Sequence, residues 1–197
     1  MALAAAFDNP VFASQSVFRA VMDALARPGE RKTITAPVKA PKPLDPAAAA
    51  IALTLLDYET PVWLDPPLAK SAAVTDWLTF HTGAPITAAP DLASFALIAD
   101  PANAPAFERF NPGTADYPDR STTLVMQVDG FSGETVTLAG PGIARTATFA
   151  ASPLPADFAV QLSANRELFP RGVDLLFVHK DTVVALPRSV RIVEGSR

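Results

Sequence analysis

The chain has 197 residues, 49% hydrophobic and 18% charged, with a formal net charge of −4. That length and apolar share suffice for one sizeable core, and the acidic balance argues against a nucleic-acid partner held through phosphate contacts. Cysteine is absent, which excludes disulfides, thiolate metal sites and cysteine nucleophiles together.

No apolar run reaches the roughly 18 residues a membrane span needs. The start, Met-Ala-Leu-Ala-Ala-Ala-Phe-Asp, lacks the basic region and the full apolar region of a secretory signal. The expectation is a cytoplasmic protein with no membrane contact. Arginine outnumbers lysine eleven to five, so local anion sites stay open despite the acidic total.

In chain order, the spacing of Val17, Phe18, Val21, Met22 and Leu25 predicts a helix over residues 14–26 with Ser14 as N-cap. Arg27-Pro28-Gly29 ends it, and a strand is expected over 31–35. An irregular segment, 36–43, leads to Asp45 and Pro46, which read as N-cap and N1 of an alanine-rich helix reaching Leu56. Thr60-Pro61 breaks the chain into a short buried strand, Val62-Trp63-Leu64. A helix over 71–80 closing near Gly83 and a strand over 95–98 follow.

Thereafter strands succeed one another. Residues 122–129 and 135–139 look like a hairpin around Gly130-Phe131-Ser132-Gly133. Residues 143–149 continue as a third strand after Gly140-Pro141-Gly142, and 155–168 is the last helix. Residues 173–179 and 182–186 read as a hairpin tipped by Lys180-Asp181, and 190–193 extends the sheet. The order predicts a single α/β domain, 1–197, with a mixed sheet flanked by helices.

Chemistry-bearing residues are few. His81 and His179 are far apart, and nothing in their spacing favours a zinc site. His81 stands at a helix C-terminus, where its charged form would answer the dipole. Gly140-Pro141-Gly142 lacks the third glycine and the following helix of a dinucleotide fingerprint, and reads as a tight turn. No phosphate-loop string with Gly-Lys-Ser or Gly-Lys-Thr occurs.

The hydroxyl-rich loop made by residues 111–114, with Gly113 and Thr114, and residues 119–123, with Arg120, is suited either to a turn or to cradling a phosphoryl or phosphonyl group. Arg19, beside the apolar stripe of the first helix, and Arg188, at a strand end, are each open to two readings. One is an ion pair with Asp57 or Asp174, and the other is a fork that grips an anion. Lys180, at a hairpin tip, is too exposed for a Schiff base. Asp57 and Glu59, two apart at a helix end, do not share a face.

Several blocks occur together in an informative order. They are Phe18-Arg19 with Pro28-Gly29, residues 53–64, residues 80–85 (Phe-His-Thr-Gly-Ala-Pro), Gly113-Thr114, and Thr123-Leu124 with Gln127-Val128. Leu138-x-Gly-x-Gly-Ile143, Phe169-Pro170-x-Gly172-x-Asp174 and Pro187-Arg188 complete the set. With these blocks the chain resembles the PhnH subunit family of the bacterial carbon–phosphorus lyase system, which degrades phosphonates.

The resemblance implies a homodimer whose protomer is similar to the large domain of pyridoxal-phosphate-dependent transferases without the cofactor. It also implies other carbon–phosphorus lyase core subunits as partners. Their assembly displaces adenine from ATP and attaches a phosphonate to ribose C1, giving a ribose 1-phosphonate 5-triphosphate. The alternative is a scaffold module of the same assembly. Cofactors and metals are expected to be absent, and catalytic residues stay unassigned. ATP or phosphonate would be met by Arg19, Asp57, His81, Thr82, Gly113, Thr114 and Arg188, expected to line one polar cleft at strand ends.

Overall fold

The computed structural model describes residues 6–36 and 38–193. Its first helix, α1 (Pro10–Ala26), is followed by β1 (Lys32–Thr33), α2 (Pro46–Leu55), β2 (Val62–Leu64), α3 (Pro66–Ala69), α4 (Ala72–Thr82), β3 (Ile86–Thr87) and β4 (Phe95–Ile98). Then come β5 (Thr123–Gln127), β6 (Val136–Ala139), β7 (Ala147–Phe149), α5 (Phe158–Glu167), β8 (Asp174–His179), β9 (Thr182–Leu186) and β10 (Arg191–Ile192). Seven strands form one mixed sheet in the order β1-β9-β8-β5-β4-β2-β3. Only β9 runs against the rest.

The central strands show why. β5 and β8 are apolar on both faces, the pattern of strands covered on two sides, and Leu124, Val125, Met126 and Leu175 to Val178 are all buried. Side chains alternate between faces. Val125, Leu176 and Val178 join Leu64 and Leu97 in a core closed by α1, α2 and α4. Leu124, Met126, Leu175 and Phe177 face a second core closed by α5, Phe107, Phe110 and the smaller sheet.

The alanines of α2 let it lie deep in the first layer, where Ala47 through Ala52 are buried. Asp45 starts that helix as expected, its Oδ1 accepting from the Ala47 N–H at 2.7 Å. α4 ends at Gly83 in the left-handed region, φ 70°, where glycine has no Cβ penalty.

Five expectations change. The strand expected over 143–149 keeps only Ala147–Phe149. α1 begins at Pro10, not Ser14, because Asn9 caps it and proline at the first position is pre-set for helix. The strand expected over 31–35 shrinks to two residues. The 122–129/135–139 hairpin does not form. β5 pairs in parallel with β4 and β8, whereas β6 belongs to a three-stranded sheet, β10-β6-β7. The Gly130–Gly133 segment turns the chain out of one sheet into the other, and only Gly130 makes a bridge, to Ser152. Residues 190–193 likewise extend the small sheet rather than the large one. The Gly140-Pro141-Gly142 turn between antiparallel β6 and β7 and the β8–β9 hairpin at Lys180, φ 58°, are as expected.

Candidate functional site

Parallel strands give the sheet a carboxyl edge and an amino edge, and polar side chains collect at both. At the carboxyl edge β2 is followed by Asp65, which is only 2% exposed. Its Oδ1 accepts from the Leu68 N–H at 3.2 Å and so caps α3. Its Oδ2 accepts from the N–H groups of Ala99 at 2.7 Å and Asp100 at 2.8 Å, just past β4.

Strand order places this carboxylate where the chain leaves β2 for β3 on one side while β4 lies on the other, the crevice that receives ligands in open α/β sheets. Here a side-chain carboxylate fills it. Burial pushes the Asp65 carboxyl above its ordinary value, while the three N–H donors pull the other way. Asp65 escaped the sequence reading although Leu64-Asp65-Pro66 carries the same Asp-Pro start signal as Asp45-Pro46.

Further along this edge Asp45 repeats the pattern. Its Oδ2 accepts from the Lys180 N–H at 3.0 Å, and its own N–H donates to Gln127 Oε1 at 2.7 Å. Gln127 Nε2 donates to the Pro43 carbonyl at 3.0 Å, and His179 Nδ1 is 2.9 Å from the Val128 carbonyl. Beside them Thr33, Thr35, Val38, Ala47, Lys180 and Asp181 contribute to the wall of a cleft of about 560 Å³.

Six of the seven expected residues flank the amino edge instead, in two groups. In the first, Arg188 is committed to protein. Its N–H and Nε donate to Asp174 Oδ1 at 2.8 and 3.1 Å, and a terminal nitrogen bonds Asp174 Oδ2. The other terminal nitrogen donates to the Pro118 carbonyl. Of the two carboxylates considered for an arginine partner, Asp174 holds Arg188. Gly113 belongs to the same packing, since a Cβ there would lie 2.9 Å from the Pro118 carbonyl oxygen, and its φ is +74°. Thr114 closes the loop, its Oγ1 accepting from the Tyr117 N–H at 3.0 Å.

The second group surrounds the start of β2 and the end of α4. Asp57 Oδ1 accepts from the Glu59 N–H at 2.9 Å, and the Asp57 N–H donates to Thr60 Oγ1 at 2.6 Å. Thr82 Oγ1 donates to the Leu78 carbonyl at 2.7 Å and accepts from the Ala84 N–H at 3.1 Å. The His81 ring packs on Trp77, centroids 4.8 Å apart, and on the edge of Phe80 at 5.0 Å. Trp77 Nε1 and His81 Nε2 are buried without a hydrogen-bond partner among the described residues.

The seven residues therefore do not meet in one cleft of the protomer. Arg188 follows β9 and His81 precedes β3, five strand intervals apart, about 24 Å at normal sheet spacing. Arg19 stands alone and exposed on α1. None of the seven lines the clefts of about 260, 270, 510 and 560 Å³ on this protomer. Placement at strand ends was visible in the sequence, but strand order, which sets the distance between those ends, was not. Among the described residues no group of three or more His, Asp or Glu is placed to hold a metal, and no helix is long and apolar enough to cross a membrane.

An open, largely parallel sheet covered by helices, with a small antiparallel sheet against one face, defines an α/β protein whose usual ligand crevice is occupied by its own aspartate. Residues 5–193 match the family described as bacterial phosphonate metabolism protein (PhnH), and the chain belongs to that family. It is 45% identical to the alpha-D-ribose 1-methylphosphonate 5-triphosphate synthase subunit PhnH of Rhizobium meliloti (strain 1021), over 95% of this chain and 94% of that protein. It is also 35% identical to the putative C-P lyase subunit protein HtxG of Stutzerimonas stutzeri, over 81 residues, 41% of this chain and 42% of that one.

Proposed function

We propose that this chain is a subunit of a ribose 1-phosphonate 5-triphosphate synthase. In that assembly a phosphonate replaces adenine on the ribose of ATP, ahead of carbon–phosphorus bond cleavage. The observation that carries the reading is the 45% identity, spread over nearly the full length of both chains, to a protein named as a subunit of such a synthase. The subunit works in the cytoplasm as one PhnH-type domain and as a homodimer. Its sheet, with β9 alone reversed, supports kinship with the large domain of pyridoxal-phosphate-dependent transferases, without the cofactor.

The dimer reading has a surface that suits it. On α1, opposite the buried face of Val17, Ala20, Val21 and Ala24, the exposed side carries Val11, Phe18 and Met22. Arg19 and Asp23, four residues apart, offer an antiparallel copy of the helix opposite charges. In this reading Arg19 serves the dimer, while Asp57, His81 and Thr82 form one patch and Gly113, Thr114 and Arg188 another. ATP or phosphonate would meet either patch only after a second protomer or another subunit completes it.

The scaffold reading is favoured by one observation, the full commitment of Arg188 to Asp174 and Pro118. Growth tests the proposal. A strain lacking the chain should fail to use a phosphonate as sole phosphorus source and recover when the chain is restored. Undiminished growth of the deletion strain would refute it.

A further inference from the structure

The corner formed by the α2–β2 loop, the end of α4 and β3 exposes more apolar surface than its place at a sheet edge requires. Tyr58 is 75% exposed, Phe80 67%, Leu92 66% and Ile86 40%. They come from four different segments that the fold gathers. Tyr58 Cβ stands 3.9 Å from where a Gly83 Cβ would be, in the turn that ends α4 and carries Phe80. Ile86 is in register with Val62, and the chain leaving Leu92 returns to this end of β2 through the Ser94 N–H on the Pro61 carbonyl.

Phe80 is not a loose side chain. Its ring meets the His81 ring edge-on, and His81 packs on Trp77, itself 3% exposed, so the aromatic is propped from beneath. Rigid, partly exposed aromatics of this kind are what interfaces use as anchors.

The rim has one sign. Between residues 56 and 95 the chain has five carboxylates, Asp57, Glu59, Asp65, Asp76 and Asp91, against a single lysine, no arginine and one histidine, Lys70 and His81. Asp65 is buried at the carboxyl edge and Lys70 follows α3 on that same far side. Asp57, Glu59 and Asp91, exposed, thus surround the aromatic corner. Among the described residues the side chains of Glu59 and Asp91 make no ion pair or hydrogen bond. A two-fold contact would bring this set against itself, like charge on like, so a second copy of the chain is a poor occupant. The mixed-charge face of α1 does not share that conflict.

We infer that this corner is the docking surface for a different protein of the assembly, one that presents apolar side chains flanked by arginine or lysine. The inference rests on the subunit reading above and adds the surface and the chemistry of the partner. Apolar burial would supply the affinity, and the carboxylate rim the orientation and a dependence on salt.

The test uses the full-length, tagged chain co-expressed with the other subunits of its synthase and purified through the tag. Wild type should retain those subunits, with retention falling as NaCl is raised. The double variant Glu59→Lys/Asp91→Lys and, separately, Phe80→Ser should weaken retention about tenfold or more, while the circular dichroism spectrum and the mass of the free chain stay unchanged. Full retention by both variants would overturn the surface while leaving the subunit reading intact. A loss of dimer mass in either variant would also overturn it, by assigning the corner to self-association. If wild type itself retained no subunit, the underlying reading would fall and this inference with it.

Discussion

The two edges of the large sheet are built on opposite plans. At the carboxyl edge, where open α/β sheets usually receive ligands, polar side chains are turned inward and satisfied. Asp65 takes three backbone N–H groups, and Asp45 takes two while its own N–H is answered by Gln127. At the amino edge the loops are open, apolar and acidic, and one tight node, Arg188–Asp174, holds them at one end. The carboxyl edge keeps the donors of a ligand crevice but answers them from within the chain. The amino edge leaves surface to spare, as a subunit that works through its neighbours would.

That contrast can be broken by substitution, and the largest effects should come from the inward-turned groups. Asp65→Ala would leave the N–H groups of Leu68, Ala99 and Asp100 unanswered in a dry site, a loss of about 3 kcal/mol in urea unfolding. A change below 1 kcal/mol would mean that water replaces the carboxylate and that the crevice is open. Arg188→Ala should cost about 2–3 kcal/mol, because it strands the Asp174 carboxylate in a partly buried setting. Loss of assembly activity in that variant with stability intact would move Arg188 from structural node to ligand contact. Gly113→Ala should cost about 1–2 kcal/mol, since the residue needs positive φ and its Cβ would meet the Pro118 backbone. Asp57→Ala, at the open edge, should stay within about 0.5 kcal/mol.

The pH dependence sharpens the same comparison. Because burial raises the folded-state value of Asp65, the native chain holds that proton more tightly than the unfolded one. Its contribution to stability is complete below the ordinary carboxylate value and is lost as pH rises through the raised one. The stability margin of wild type over Asp65→Ala should therefore narrow as pH rises above about 4, measured by unfolding both proteins at a series of pH values. A margin that widens with pH would show the three N–H donors outweighing desolvation.

How much of this was legible in the chain depends on the range of the signal. Local signals were readable, as with Asp45-Pro46 starting α2, Gly83 ending α4, Val62-Trp63-Leu64 as a buried strand and Lys180-Asp181 at a hairpin tip. Signals about partners were not. Gly130 to Gly133 announced a change of direction but not that the chain leaves one sheet for another. The two-sided apolar character of 124–126, which marks a central parallel strand, was the clue against a hairpin. Six of the candidate residues do lie beyond or at element ends, but Arg19 lies in the middle of α1. Their convergence was an inference about strand order, and β9 and β3 proved to sit far apart. Asp65 was missed because its role is non-local, tying β2 to the end of β4 some 34 residues on.

The most direct test of the proposed function is to reconstitute the synthase from purified subunits with ATP and methylphosphonate and follow product by phosphorus NMR, with and without this chain. The account predicts a ribose-linked phosphonate signal and stoichiometric adenine release only when the chain is present, and none from the chain alone. Equal product in its absence, or turnover by the isolated chain, would contradict it.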